Sequence, residues 1–401
     1  MKLIRKLFPL VYLLLTALLA AQTRTAEPPD LGSRAACLLD AATGTIIYAK
    51  NPDEPIPPAS LTKLMTMHLA LTEVKAGRAS LDEIVPLDPA SWAVNQPPRS
   101  SLMFLAQDQT VSLRELLLGL AVPSGNDAAV AVALRFAPTA AYFAEAMTSE
   151  ARRMGFKATR FSEPSGISEY NSTTAREFAL FCREYLTLHP ETLKKYHSVM
   201  EFDYPKASNV PAPYRDRPQT IVQYNRNSLL GIVEGVDGLK TGYIDEAGYN
   251  IALTAERRGT RFIAVILGAP AGPQGERIRA RDGGVLLDWA FDHYKTIRPG
   301  IGELPPVRVW KGKSRQGRVV PGAALKFTAL TGRGGGFRWE TETDDPLVAP
   351  LPAGSPAGQL IFYDNAGELR RIPLIMGETI EAGGFFRRLW DSIRLFFRGK
   401  H

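Results

Sequence analysis

The 401-residue chain predicts an α/β (α+β) fold, and three observations carry that expectation. Strand-type runs come in pairs joined by tight turns, once in residues 35–50 and again in residues 249–267. Between those pairs the apolar residues recur mostly at helical spacing. After residue 307 the pattern changes to short β runs separated by turns, and the chain closes on an amphipathic stretch at 385–398. An antiparallel sheet flanked by helices, then a small β domain and a C-terminal amphipathic helix, is the architecture these patterns imply.

Residues 1–26 begin with Lys2, Arg5 and Lys6 and continue as an apolar run to Ala21 that ends in small residues. This is the form of a secretory signal peptide, and the run is short for a membrane span. The mature protein is therefore expected outside the cytoplasm. Residues 27–297 form the first expected domain. A-A-C-L-L-D and T-I-I-Y-A-K flank A-A-T-G as a hairpin. The hairpin leads into Pro57 and Pro58, which cannot continue a helix backwards, so a helix opens near Ala59. Leu61, Leu64, Met65, Leu69 and Thr72 fall on one face of it, which is expected to be buried.

Leu113 to Leu120 is a second apolar helix, ending at V-P-S-G-N-D, with Asp127 opening the next helix, 128–136. Residues 141–189 read as mostly helical, interrupted by a Ser/Pro/Gly loop at 161–171; residues 203–219 are irregular. Lys240 begins or sits on a strand, and Leu286 to Tyr294 reads as the helix that closes the domain. Residues 298–306 form a linker, 307–382 a small β-rich domain, and 383–401 the final helix.

That helix places Phe385, Phe386, Leu389, Trp390, Ile393, Phe396 and Phe397 on one face, with Leu395 the single misfit. Arg387, Arg388, Asp391, Arg394 and Arg398 lie opposite. Aromatic bulk against a basic side suits an anionic lipid surface; docking on its own protein or on a second copy is the alternative.

Chemistry enters at Ser60 and Lys63. In the first turn of a helix, free N–H groups favour developing negative charge, and three residues of spacing set the lysine amine beside the hydroxyl. A serine needs a base to act as a nucleophile, and a lysine serves only where burial or a second cation keeps it neutral. By itself such a pair arises by chance about once or twice in a chain of this length, so a capping serine and a solvated lysine stand as the alternative. Ser124 and Asn126 lie on a loop between helices, able to project a hydroxyl and an amide into a cleft or simply to cap the following helix. A strand bearing Lys240 at the border of a cleft offers free backbone groups to an extended peptide; an edge lysine that discourages aggregation is the alternative.

The formal net charge of +7 invites a nucleic-acid partner, but most of it sits in the first six and last seventeen residues, so no basic groove is expected. Two cysteines, Cys37 and Cys182, make no disulfide framework. The five histidines show no ligand spacing, so no metal and no cofactor is expected.

Ser60-x-x-Lys63, Ser124-x-Asn126 and Lys240-Thr241-Gly242 occur once each and in that order. Nearly this trio marks class A β-lactamases and penicillin-binding proteins. With P-A-S-L-T-K-L-M-T, E-G-V-D-G-L-K-T-G and A-G-Y-N-I-A, the chain resembles a low-molecular-weight penicillin-binding protein, a serine-type D-alanyl-D-alanine carboxypeptidase, over nearly its whole length.

The resemblance implies a penicillin-binding/β-lactamase-like catalytic domain whose substrate is the peptidoglycan stem peptide and which β-lactams acylate. It implies Ser60 as nucleophile and Lys63 as its base, kept neutral with help from Lys240. Ser124 becomes the proton relay, Asn126 the partner of the acyl side, and Lys240 with Thr241 the carboxylate site. Gly242 and Tyr243 complete the substrate strand, with the backbone N–H groups of Ser60 and Tyr243 as oxyanion donors. Relatives often carry histidine in place of Tyr243. An arginine before Leu286-Leu287 contacts the carboxylate in relatives, which favours Arg279 over Arg277. Ser165-Gly166-Ile167 stands where some relatives have His-Gly-Leu. The E-x-x-L-N loop of a class A β-lactamase is missing between Ser124 and Lys240, and a non-catalytic cell-wall scaffold is the rival from another class.

Overall fold

A computed structural model describes residues 27–331, 336–365 and 367–398. The expected signal peptide lies outside the described residues. The chain divides into two compact units, one made of Met1–Leu39, Ile46–Arg257 and Phe262–His293, the other of Asp40–Thr45, Arg258–Arg261 and Tyr294–His401.

In the first unit, strands β1 (Ala35–Asp40), β2 (Ile46–Lys50), β5 (Val236–Ile244), β6 (Gly248–Arg257) and β7 (Thr260–Ala269) form a sheet in the order β2-β1-β7-β6-β5. β1 and β2 pair antiparallel, as do β5 and β6, the latter with Lys240 opposite Ala252 and Gly242 opposite Asn250. β7 is apolar from Phe262 to Leu267 and buried throughout that run, as a central strand covered on both faces must be. β5 lies at the edge, so one side of its backbone has no neighbouring strand in this sheet.

Helices α1 (Lys63–Lys75), α2 (Leu113–Ala121), α3 (Asn126–Phe136), α4 (Ala140–Arg153), α5 (Ala175–Leu188) and α6 (Gly275–His293) complete the unit, with a small antiparallel hairpin of β3 (Glu201–Tyr204) and β4 (Ile221–Tyr224). Two expectations change here. The stretch expected to open a helix at Ala59 is a tight 3₁₀ turn over Ala59–Thr62, and the α-helix proper starts at Lys63. Nor does α1 bury a single face: Lys63 to His68 are all buried, together with Ala70 and Leu71, while Leu69 and Thr72 are only partly covered. A helix sheltered on nearly every side does not display the one-sided pattern of a surface helix.

The closing helix α6 begins eleven residues before the expected Leu286. Its paired glycines and charged first half hide it from a periodicity reading, and the glycine has a packing reason: a Cβ on Gly283 would stand 2.6 Å from Leu253 Cδ1.

The second unit is built of β8 (Tyr294–Ile297), β9 (Val307–Trp310), β10 (Gln316–Gly317), β11 (Val319–Pro321), β12 (Phe327–Leu330), β13 (Arg338–Thr343), β14 (Leu347–Val348), β15 (Pro356–Asp364) and β16 (Gly367–Met376). They make a four-stranded sheet β11-β16-β15-β13, a three-stranded sheet β10-β9-β14 and a β8–β12 pair around a core that includes Val309, Phe327, Leu360, Phe362 and Leu374. Helix α7 (Phe385–Arg398) follows.

The polar side of α7 is tied to this β unit. Asp391 accepts from the Lys311 N–H at 2.7 Å, the Gly383 N–H donates to Lys311 O at 2.7 Å, and Arg398 pairs with Asp345 at 2.6 Å. Leu395, the misfit of the amphipathic pattern, lines a cavity with Asp345, Pro346 and Arg398. The seven large apolar residues of the opposite face are exposed. Among the described residues, no helix is long and apolar enough to cross a membrane.

Candidate active site

The local fold around Ser60 brings three distant segments together. Ser60 stands in the 3₁₀ turn just ahead of α1 and is half-buried, whereas Lys63, at the first position of α1, has no exposed surface. The Lys63 Nζ lies 3.0 Å from Ser60 Oγ, 2.8 Å from Asn126 Oδ1 and 2.6 Å from Ser165 O. Ser124 sits at φ 66° in the V-P-S-G-N turn between α2 and α3, buried, and its Oγ finds no hydrogen-bond partner among the described residues. Ala59, one residue before Ser60, also has positive φ (50°). Two non-glycine residues in that strained region, each costing about 1–3 kcal/mol, flank the same site.

β5 supplies the other wall. Lys240 and Thr241 are buried, and Lys240 Nζ donates to Thr241 O at 3.1 Å. Gly242 is required by a close approach: a Cβ there would stand 2.9 Å from both Ser60 N and Pro58 O. Asn250, opposite it on β6, donates to Pro57 O at 2.9 Å and accepts from the Gly268 N–H at 2.8 Å, fixing the prolines that set up the Ser60 turn. Tyr243 and Asn126 join Ser60, Ser100, Ser101, Gly166, Ile167, Asp245 and others in lining a cleft of about 220 Å³. The Tyr243 hydroxyl donates to Asp245 Oδ1, and its ring lies 4.3 Å from that of Tyr249. Arg279, on α6, is buried, lies over the Tyr249 ring and pairs with Glu276 at 3.0 Å; Arg277 is exposed.

Electrostatics decide what the lysines can do. Burial draws the Lys63 pKa from its ordinary 10.5 to about 7, with Glu163 and Asp127 pulling it up and Arg226 pushing it further down. Lys240 is driven well below its usual range by burial first, then by Lys63, Arg226 and Arg279. The resemblance has Lys240 help keep Lys63 neutral; burial is the largest cause of the lowered Lys63 pKa, and the repulsion between the two lysines appears in the lowering of Lys240.

Three contributors lie outside the motif reading. Asp127 accepts from the N–H groups of Met103, Phe104 and Leu105 at 2.8–3.0 Å and so pins the 101–105 segment against the start of α3. Arg226 donates to Pro123 O at 2.9 Å, beside Ser124. Glu163 gathers the donors of the loop behind Lys63. The partners of Asp127 and Arg226 are tens of residues away, so no local spacing announces them. Cys37 and Cys182 are free and buried, the first with its pKa pushed up to about 12 by desolvation.

Residues 22–271 match the D-alanyl-D-alanine carboxypeptidase family. The chain is 33% identical over 384 residues to the D-alanyl-D-alanine carboxypeptidase DacC of Escherichia coli, covering 94% of this chain and 91% of that one. Penicillin-binding protein 5 from Haemophilus influenzae has the same fold, with a TM-score of 0.78, 28% identity, and coverage of 88% of this chain and 99% of that one. Penicillin-Binding Protein D2 from Listeria monocytogenes, solved in an ampicillin-bound form, aligns with 66% of this chain and 100% of its own, at 30% identity and a TM-score of 0.55. The family match spans the segments that carry Ser60, Ser124 and Lys240, and the likeness to the Escherichia coli enzyme runs on through the β unit; the chain belongs to the D-alanyl-D-alanine carboxypeptidase family of serine peptidases.

Proposed function

We propose that the chain removes the terminal D-alanine from peptidoglycan stem peptides through an acyl-enzyme on Ser60, with Lys63 as its base. One observation carries the reading. A neutral amine has two N–H donors and one lone pair. Two of the three groups around Lys63 Nζ, Asn126 Oδ1 and Ser165 O, can only accept. With the N–H groups spent on them, the lone pair is left for the Ser60 hydroxyl at 3.0 Å.

Ser60 Oγ then attacks the carbonyl carbon of the penultimate D-alanine while its proton passes to Lys63. The oxyanion is held by the backbone N–H groups of Ser60 and Tyr243, a contribution of about 3 kcal/mol per donor. Ser124, whose hydroxyl has no partner among the described residues, relays a proton to the leaving amine as the C–N bond breaks. Free D-alanine departs, and water attacks the ester to restore Ser60. Asn126 holds the acyl side, and Lys240, Thr241 and Arg279 meet the terminal carboxylate. The free edge of β5 receives the substrate backbone as an added strand. A β-lactam offers a strained amide and a carboxylate, so it is expected to acylate the same hydroxyl.

The exposed aromatic face of α7 supports attachment to an anionic lipid surface, with the enzyme exported across the cytoplasmic membrane and working on its outer face. The decisive experiment incubates purified protein with a diacetylated Lys-D-Ala-D-Ala tripeptide. Release of D-alanine that disappears in Ser60→Ala is expected, together with labelling by fluorescent penicillin. Neither release nor labelling in the wild type would leave a non-catalytic wall scaffold.

A further inference from the structure

The loop over residues 162–171 carries a carboxylate that the acyl-transfer chemistry leaves without a role. We propose that Glu163 is a positioning residue for Lys63, shaping the loop into the shelf on which the lysine amine and the Ser60 turn rest, and supplying the negative charge that faces them. The inference rests on Lys63 acting as the base.

Both oxygens of Glu163 are committed to the loop. Oε2 accepts from Ser165 N at 2.7 Å and Ser165 Oγ at 2.5 Å. Oε1 accepts from Gly166 N at 2.6 Å, from Asn171 Nδ2 at 2.9 Å and from Ser168 N at 3.4 Å. So many charge-assisted bonds on one carboxylate fix the path of the backbone around it.

The loop so fixed touches the start of α1 at consecutive points on one side. Asn171 Nδ2 reaches Thr62 Oγ1 at 3.2 Å, Ser165 O takes the Lys63 amine at 2.6 Å, and Pro164 O takes the Thr66 hydroxyl at 2.7 Å. Gly166 is pressed onto the turn itself, where a Cβ would stand 1.9 Å from Ala59 O. Rotating the carboxylate out of the loop therefore frees Ser165 O, one of the two acceptors that orient the lysine lone pair.

Its charge matters as well as its bonds. The ionisable groups that act on Lys63 are Glu163 from this loop, Asp127 from α3 and Arg226 ahead of β5, with Lys240 on β5 coupled to it; of the two acids, Glu163 has the larger effect. It opposes burial and keeps the lysine basic enough to take the serine proton. Ser165 is held by this same carboxylate through both its N–H and its hydroxyl.

The test compares kcat/KM for D-alanine release across pH 5.5–9 in wild type, Glu163→Gln and Glu163→Asp. Glu163→Gln removes the charge and sets an amide against backbone donors. Its acid limb is expected to move down by about one pH unit, with kcat at pH 8 reduced about tenfold or more. Glu163→Asp keeps the charge with a shorter reach, so its limb is expected to stay at the wild-type position while the amplitude falls. A limb unmoved in a folded Glu163→Gln that still labels with fluorescent penicillin overturns the inference, whatever its amplitude. If Glu163→Gln does not fold, a limb displaced in Glu163→Asp overturns it as well. A wild type with no acid limb near pH 7 instead refutes Lys63 as the base, a distinct outcome.

Discussion

Lys63 shows chemistry decided by hydrogen count as much as by proximity. With two fixed acceptors beside it, only one of its protonation states can receive a proton from Ser60. Because burial lowers its pKa to about 7, the neutral form gains population as pH rises, so kcat/KM is expected to climb through about pH 7 and to fall tenfold per unit well below it. A pH–rate profile that is flat from 5.5 to 8 would contradict this. Lys63→Arg keeps a permanent cation in the same place and is expected to lose about 10²–10⁴-fold in acylation rate, measured by penicillin labelling under single-turnover conditions. Arg279 is buried near Lys240 with its Nε unpaired among the described residues. Its replacement by alanine is expected to reduce kcat/KM about 10–100-fold for a substrate ending in a carboxylate and far less for the matching amide. The proposed nucleophile Ser60 and its proposed base Lys63 are legible in the sequence because they lie three residues apart. Glu163, Asp127 and Arg226 are not, since a carboxylate or guanidinium gives no local sign of which distant backbone it will meet.

At the scale of elements, the hairpins and the inter-helix loop follow directly from turn residues and β-branched runs. The misjudged elements share one cause: tertiary packing removes the amphipathic contrast that a periodicity reading needs. α1 is enclosed, and α6 carries glycines because Leu253 of β6 leaves no room for a side chain at Gly283. The Gly166 loop is a sensitive contact of this kind. Gly166→Ala combines φ +87° with a carbonyl oxygen at 1.9 Å, so a loss of about 2 kcal/mol or more is expected. Gly77→Ala, at φ +71° with nothing within 4 Å, should cost only about 1 kcal/mol. Chemical denaturation of the pair isolates the contact from the backbone preference, and equal losses would count against a packed Gly166–Ala59 junction. Activity should follow stability in Gly77→Ala and fall well beyond it in Gly166→Ala.

On the scale of the whole molecule, the change from helical periodicity to short β runs announces a second unit before any contact is known, and the amphipathic end is legible from its spacing alone. What spacing does not show is that α7 is fastened by its polar flank, through Asp391 and Arg398, while the seven apolar residues stay exposed. Truncation after Gly384 is expected to abolish sedimentation with phosphatidylglycerol vesicles while leaving tripeptide hydrolysis in solution unchanged. Equal sedimentation of both forms would remove the lipid attachment. A cavity of about 1110 Å³ between α7 and residues 308–316 exceeds the cleft beside Ser60 several-fold, yet none of the acyl-transfer residues lines it. Volume is a poor guide to chemistry here.

Among the described residues, β5 has a paired strand on one side only. A linear inhibitor whose amides repeat at strand spacing, about 3.3 Å per residue, would draw on main-chain groups that every residue type except proline possesses. Resistance by exchanging side chains along Val236–Ile244 is then limited to changes that bend or shield the strand, and Gly242, wedged against the Ser60 turn, leaves little room for either.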